Sequence, residues 1–189
     1  MSEKHERDMN ILFLEVCKNI QLLSAEVYHR FGDAYGEIPS AALLWKKAAL
    51  EEENHSRQFE LLLRLKNEVA FELIPTDPQR AWHVQRIIIK LLDILKHITP
   101  ELMSALTLTI EMEELLANLH VQKAVRFMDE SVERLFKACG RADQEYVGAF
   151  ERFRVTQLLS MSEIKDNDHE TARNKDKIFH GYLSDVLLN

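Results

Sequence analysis

Two segments of this chain read alike, and they constrain what it can fold into. Leu44 to Glu60 is LWKKAALEEENHSRQFE, Leu135 to Glu151 is LFKACGRADQEYVGAFE, and they lie 91 positions apart in a sequence of 189 residues. Both are rich in strong helix formers. A chain that carries one helical segment twice must bury two equivalent apolar stripes, which points to a helical architecture built from related halves. In this alignment Glu52 and His55 fall opposite Asp143 and Tyr146. Each pair sits at i, i+3, so each helix presents two polar groups on one face. Glu-x-x-His is the spacing of a metal-ligand pair. The second copy keeps the acid in shortened form and replaces the imidazole with a phenol.

Composition agrees with an all-helical reading. Five Gly and four Pro are few, while Leu, Glu, Ala, Lys and Arg dominate. The length suits one domain, residues 1–189, with a sizeable core. A formal net charge of −7 argues against a nucleic-acid partner, because a phosphate backbone would be repelled overall. Without a run of about 18 apolar residues a membrane span is not expected. The start, Met1-Ser-Glu-Lys-His-Glu-Arg-Asp, has no basic and apolar leader pattern, so the cytoplasm is the expected location. Cys17 and Cys139 are the two cysteines and form no Cys-x-x-Cys pair. They supply no four-thiolate site and read as small buried apolar residues.

The pass along the chain predicts two helical hairpins. The first spans about 8–70: one helix from Asp8 or Asn10 towards Gly32, a turn through Gly36 and Pro39, and a second helix from about Ala41 to Val69 with Ser40 as N-cap. Pro75 and Pro78 break the chain, with Asp77 as cap. A crossover, about 71–98, carries an amphipathic helix from Gln79 to Ile98 with Trp82, Ile88, Leu91, Leu92 and Leu95 on its apolar side. Thr99-Pro100-Glu101 restarts the chain. The second hairpin spans about 99–161, as one helix from Glu101 to about Arg126 and another from Asp129 or Ser131 to about Met161. Gly140, inside the last of these, would allow a close neighbour. In the C-terminal segment, 162–189, Ser162 to Lys177 reads as a loop, and Phe179, Tyr182, Leu183, Val186 and Leu187 as a short closing helix.

Each predicted bundle helix carries one acid or amide within an apolar stripe. The first has Gln21 among Leu14, Cys17, Ser24 or Ala25, and Tyr28. The second has Glu52 and His55 or Ser56 between Ala41, Trp45, Ala48, Phe59 and Leu62. The third has Glu113 among Leu106, Thr109 or Ile110, and Leu116 or Ala117, with His120 as a packing residue further along. The fourth has Asp143 and Tyr146 among Val132, Phe136, Cys139 and Phe150. Glu51, Glu53, Glu111 and Glu114 flank the inward acids and read as solvated faces, and His83, His97, His169 and His180 as surface residues. An ionised carboxylate is not buried alone at tolerable cost. Three acids converging in one core need a metal, protons or cationic partners.

These segments resemble rubrerythrin-type ferritin-like proteins. Ala105-Leu through Thr109-Ile-Glu-Met-Glu113 is similar to the family's third-helix signature, and Leu50-Glu-Glu-Glu-Asn-His55 to its second-helix motif. The resemblance implies a ferritin-like four-helix bundle of two helical hairpins with a long helical crossover and a short C-terminal helix, without a rubredoxin domain. It implies Glu52 and Asp143 as bridging acids, Gln21 and His55 serving one metal, and Glu113 and Tyr146 the other. Gln21, Asp143 and Tyr146 depart from the family pattern, which expects Glu, Glu and His, so the implied dimetal site is partly degraded. The cofactor implied is iron, as one or two ions, with zinc or no metal as the alternatives.

A charge count favours one ion over two. Glu52, Glu113 and Asp143 supply three negative charges and His55 one nitrogen, and a second divalent ion would require Tyr146 to ionise. Glu26 lies about 140° around the helix from Gln21 and does not contribute. Two classes of function follow. One is a non-haem iron oxidoreductase acting on peroxide or oxygen, which needs an external electron donor. The other is a metal-free ferritin-like scaffold with a binding or regulatory role. Nucleic acid and membrane are not expected partners; a homodimer is compatible with either class.

Overall fold

The computed structural model describes residues 3–65, 71–73, 78–121, 125–127 and 130–163. Its packed elements are five helices: α1 (Glu3–Ala34), α2 (Pro39–Leu65), α3 (Pro78–Leu95), α4 (Leu102–Val121) and α5 (Glu130–Glu163). Two three-residue strands, β1 (Phe71–Leu73) and β2 (Val125–Phe127), pair antiparallel with Glu72 opposite Arg126. The all-α reading therefore holds for every packed element. The short ribbon was not expected, and it ends α4 before Arg126, the residue to which the periodicity had extended that helix.

The order of packing follows the two predicted hairpins. α1 packs along α2, α4 along α5, and further contacts join α2 to α5 and α1 to α4, so the four helices close a ring. The crossover helix α3 lies outside this ring against α1. Its buried side includes Ala81, Val84, Ile88, Leu91 and Leu92, while Trp82 and Leu95 are partly buried. That is the amphipathic face read from the sequence, extended by two small residues towards its start.

The α1–α2 connection is tight. Tyr35 N–H donates to Phe31 O at 3.0 Å, and Ile38 N–H donates to Tyr35 O at 2.9 Å. α2 begins at Pro39, so Ser40 lies inside the helix and does not cap it. Pro39 and Pro78 each occupy a first helical position, where a missing N–H costs no intrahelical bond. α4 begins at Leu102, with Ala105 N–H already bonded to Glu101 O at 2.9 Å, so the restart lies two residues beyond Thr99-Pro100. At Gly32 a Cβ would stand 3.0 Å from Lys46 Cγ and 3.4 Å from Ala42 O, and there glycine permits the close approach of α1 and α2.

The core occupies the inside of the ring. Trp45, Tyr28, Phe31, Phe59 and Phe150 are its largest fully buried side chains. The second-helix stripe is buried as expected, from Ala41 through Trp45, Ala48, Glu52, His55 and Phe59 to Leu62. The Cys17 thiol is buried as well, and burial pushes its pKa far up, consistent with a small apolar role. Asp77, the side chain of Cys139, the surroundings of Gly140, and the closing-helix residues from Phe179 to Leu187 lie outside what the structure describes. Among the described residues no helix is long and apolar enough to cross a membrane.

Candidate functional site

The ring buries polar groups that a purely apolar bundle would not. Gln21 on α1 and Glu113 on α4 are 0 % exposed, and Glu52 and His55 on α2 are 1 % exposed. Helical periodicity explains why. Each occupies the inward position of a stripe whose neighbours one turn away are buried hydrophobics, such as Cys17 and Ala25 around Gln21, or Ala48 and Phe59 around Glu52 and His55. The same side chains on the outer face would cost nothing in desolvation. Here each carboxylate must be compensated in place.

The geometry around His55 is the sharpest part of the site. His55 Nδ1 stands 3.6 Å from Glu52 Oε2, and His55 Nε2 stands 3.6 Å from Glu51 Oε1. Both spacings exceed a direct hydrogen bond. Two donors each about 2.1 Å from one ion stand roughly 3.0 to 4.2 Å apart, as the angle between them opens from a right angle to a straight line. The Glu52–His55 spacing falls inside that range. Among the described residues, however, no three His, Cys, Asp or Glu side chains come close enough together to hold a metal ion. Among the described residues Glu52 and His55 are a pair of donors and no more.

Tyr146 of α5 joins this neighbourhood. It is half-buried, and burial first of all, then the carboxylates of Glu51, Glu113, Glu52 and Glu145, raise its pKa above the usual phenol value. Acids from α2 and α4 therefore act on one phenol of α5. The phenol is held in its neutral form, able to donate a hydrogen bond to a carboxylate. Asp143 stands on α5 one turn earlier, and its side chain lies outside the described residues, as do those of His120, Val132 and Phe136.

An aromatic shelf supports the site from one end. Phe150 lies 6.5 Å from Tyr146, 6.3 Å from Tyr28 and 6.0 Å from Trp45 between ring centroids. Trp45 Nε1–H donates to Thr109 Oγ1 at 2.9 Å, and that hydroxyl donates to Ala105 O at 2.9 Å. Within this apolar surround any charge is felt strongly. Ser24 Oγ is also buried, with no hydrogen-bond partner among the described residues.

Two of the acids read as solvated faces are not fully so. Glu51 and Glu53 are half-buried, with 34 % and 30 % of their side chains exposed, whereas Glu111 and Glu114 are exposed as expected. Glu53 Oε1 pairs with His29 Nε2 at 3.0 Å across α1 and α2, and its Oε2 lies 3.5 Å from Arg57. Neither His29 nor Glu51 stood out in the sequence. The His29–Glu53 contact joins two helices and leaves no periodic trace. Glu51 is one residue from an inward position, and the contact of α2 with α5 leaves it half-buried beside Tyr146. His83 and His97 are exposed, as expected, and His169 and His180 lie outside the described residues.

Comparison of the chain with protein-family models, curated proteins and solved structures found no match.

Proposed function

We propose that this chain is a divergent ferritin-like protein of the rubrerythrin type, whose four-helix core binds a single divalent metal ion, iron by resemblance. The observation that carries this reading is the burial of Glu52, His55 and Glu113 inside the helix ring, with Glu52 and His55 at the spacing of two donors to one ion. Two buried carboxylates carry the charge that one divalent ion neutralises. Glu52 Oε2 and His55 Nδ1 would hold the ion from α2. Glu113, buried on α4, does not close on this pair among the described residues, so Asp143 from α5 would supply the third donor, while Gln21 would contribute a neutral amide from α1.

Tyr146 argues for one ion rather than two. A second ion would need the phenolate to balance its charge, and in the metal-free fold burial first, then the surrounding carboxylates, oppose that anion. Tyr146 then serves as a hydrogen-bond donor to the acids, orienting an oxygen rather than ligating. Bound iron would supply the reduction of peroxide or the activation of oxygen, with electrons from an external donor. The chain's own part is to exclude water behind Phe150, Trp45 and Tyr28 and to fix the ligands on rigid helices.

A second reading has its own support. The neutral groups Gln21 and Tyr146 stand where the family pattern expects an anion and an imidazole, and they suit a metal-free core in which protonated acids share hydrogen bonds. That protein would be a ferritin-like scaffold with a binding or regulatory role. Elemental analysis of the purified protein, before and after incubation with ferrous iron, separates the two. About one iron per chain, abolished by Glu52→Ala, is the expected result. No metal in either sample, with Glu52→Ala altering stability alone, would establish the scaffold.

A further inference from the structure

We propose that the segment from Phe179 to Leu187 folds back onto the outer side of α5 and covers Val155, Leu158 and Leu159, whether or not the core holds a metal. Each of these three side chains is more than half exposed. They recur at i, i+3 and i+4, within about 100° of arc on one side of the helix. The inward side of the same turns is already occupied. Phe150 is buried there and Phe153 packs against the core, while Arg154 Nη1–H donates to Thr107 Oγ1 of α4 at 3.4 Å. Near its end α5 is thus apolar on two sides, and among the described residues the second is open to solvent.

A single exposed leucine is ordinary, but three apolar side chains within one turn form a contiguous patch, and such patches mark interaction surfaces. The other exposed leucines do not form one. Leu43, Leu50 and Leu61 of α2 are seven and eleven positions apart, with Lys46, Lys47 and Arg57 exposed between them. A matching stripe follows α5 in the chain, within residues 164–189, which lie outside the described residues. Phe179, Tyr182, Leu183, Val186 and Leu187 share one helical face, and His180, Gly181, Ser184 and Asp185 fall on the other. A helix of nine residues that contains a glycine is marginal alone in water, so this stripe needs a surface to pack on. The connection allows it. Ile164 to Lys177 is 14 residues, which reach up to about 46 Å when extended, whereas α5 rises only about 12 Å from Val155 to Glu163. A tether of this kind holds the segment at roughly millimolar effective concentration beside the patch, which favours it over a second copy in dilute solution.

The test is limited digestion of the full chain with chymotrypsin, because its preferred sites Phe179, Tyr182 and Leu183 lie on the stripe that docking covers. Mass spectrometry follows cleavage at those three positions, and circular dichroism checks that each variant is folded. Leu158→Asp, a change at an exposed position of α5, should speed that cleavage roughly 10-fold, since it opens the docked segment without touching the core. Leu50→Asp, the same change on the outer face of α2, should leave the rate at that of the unaltered protein. The protection should also survive roughly 100-fold dilution, as an intramolecular contact does. Cleavage as fast in the unaltered protein as in Leu158→Asp, or an equal effect of Leu50→Asp, would overturn the assignment. Protection lost together with a dimer-to-monomer change in sedimentation, on dilution or in Leu158→Asp, would give the patch to a second copy and overturn it as well.

Discussion

At the scale of single residues, the site is governed by what burial does to protonation. Tyr146 shows the direction most clearly. Its phenol is neutral in the folded protein above the pH at which it would ionise in the unfolded chain, because burial and then Glu51, Glu113, Glu52 and Glu145 all oppose the anion. The folded state therefore binds more protons than the unfolded state at alkaline pH, and stability must fall as pH rises. The contribution is complete below about pH 10 and is lost as pH climbs towards the raised folded value. Tyr146→Phe removes the titrating group, so the alkaline limb of a stability–pH curve, measured by urea denaturation, should become flatter. An unchanged limb would place the acids further from Tyr146 than they stand here. The residue types at this site were legible in the sequence, since Glu52, His55, Glu113 and Gln21 fall on inward positions by periodicity alone. Glu51 was not, because its half-buried position depends on the approach of a second helix.

At the scale of elements, the two hairpins are tied by more than apolar contact. Trp45 on α2 donates its indole N–H to Thr109 on α4 at 2.9 Å, linking helices that are not neighbours in the ring. Thr109→Val preserves shape but leaves the indole donor buried without its acceptor. The expected loss is about 1–3 kcal/mol of unfolding free energy in urea. Thr156→Val, at an exposed hydroxyl bonded to Arg152 O in its own helix, should cost about 0.5 kcal/mol or less and serves as the control. The helices themselves were readable, because amphipathic stripes, prolines and the Gly36-to-Pro39 turn all mark them. Their ends were less so. Arg126 continues a helical pattern locally, yet it pairs with Glu72 in a ribbon that joins the crossover to the second hairpin. A strand partner more than fifty positions away leaves no signal in local periodicity.

At the scale of the whole molecule, a metal that binds the folded core and not the open chain adds its binding free energy to stability. At a free concentration one hundred times its dissociation constant, the gain is about 2.7 kcal/mol. For a chain of this length that corresponds to a rise in melting temperature of roughly 5–10 °C. Differential scanning calorimetry with ferrous iron under anaerobic conditions, reversed by a chelator, should show the shift, and Glu52→Ala should abolish it. No shift in the unaltered protein would favour the scaffold reading. The sequence by itself determined the helices, their inward stripes and the polar residue each stripe carries, because burial in a helix follows a local period of 3.6 residues. Only the tertiary structure decided which of those groups meet. The ring of α1, α2, α5 and α4 brings carboxylates from two helices to bear on one phenol and sets the imidazole between Glu51 and Glu52. Distances between helices are fixed by packing across the core, and packing is not a property of any one segment.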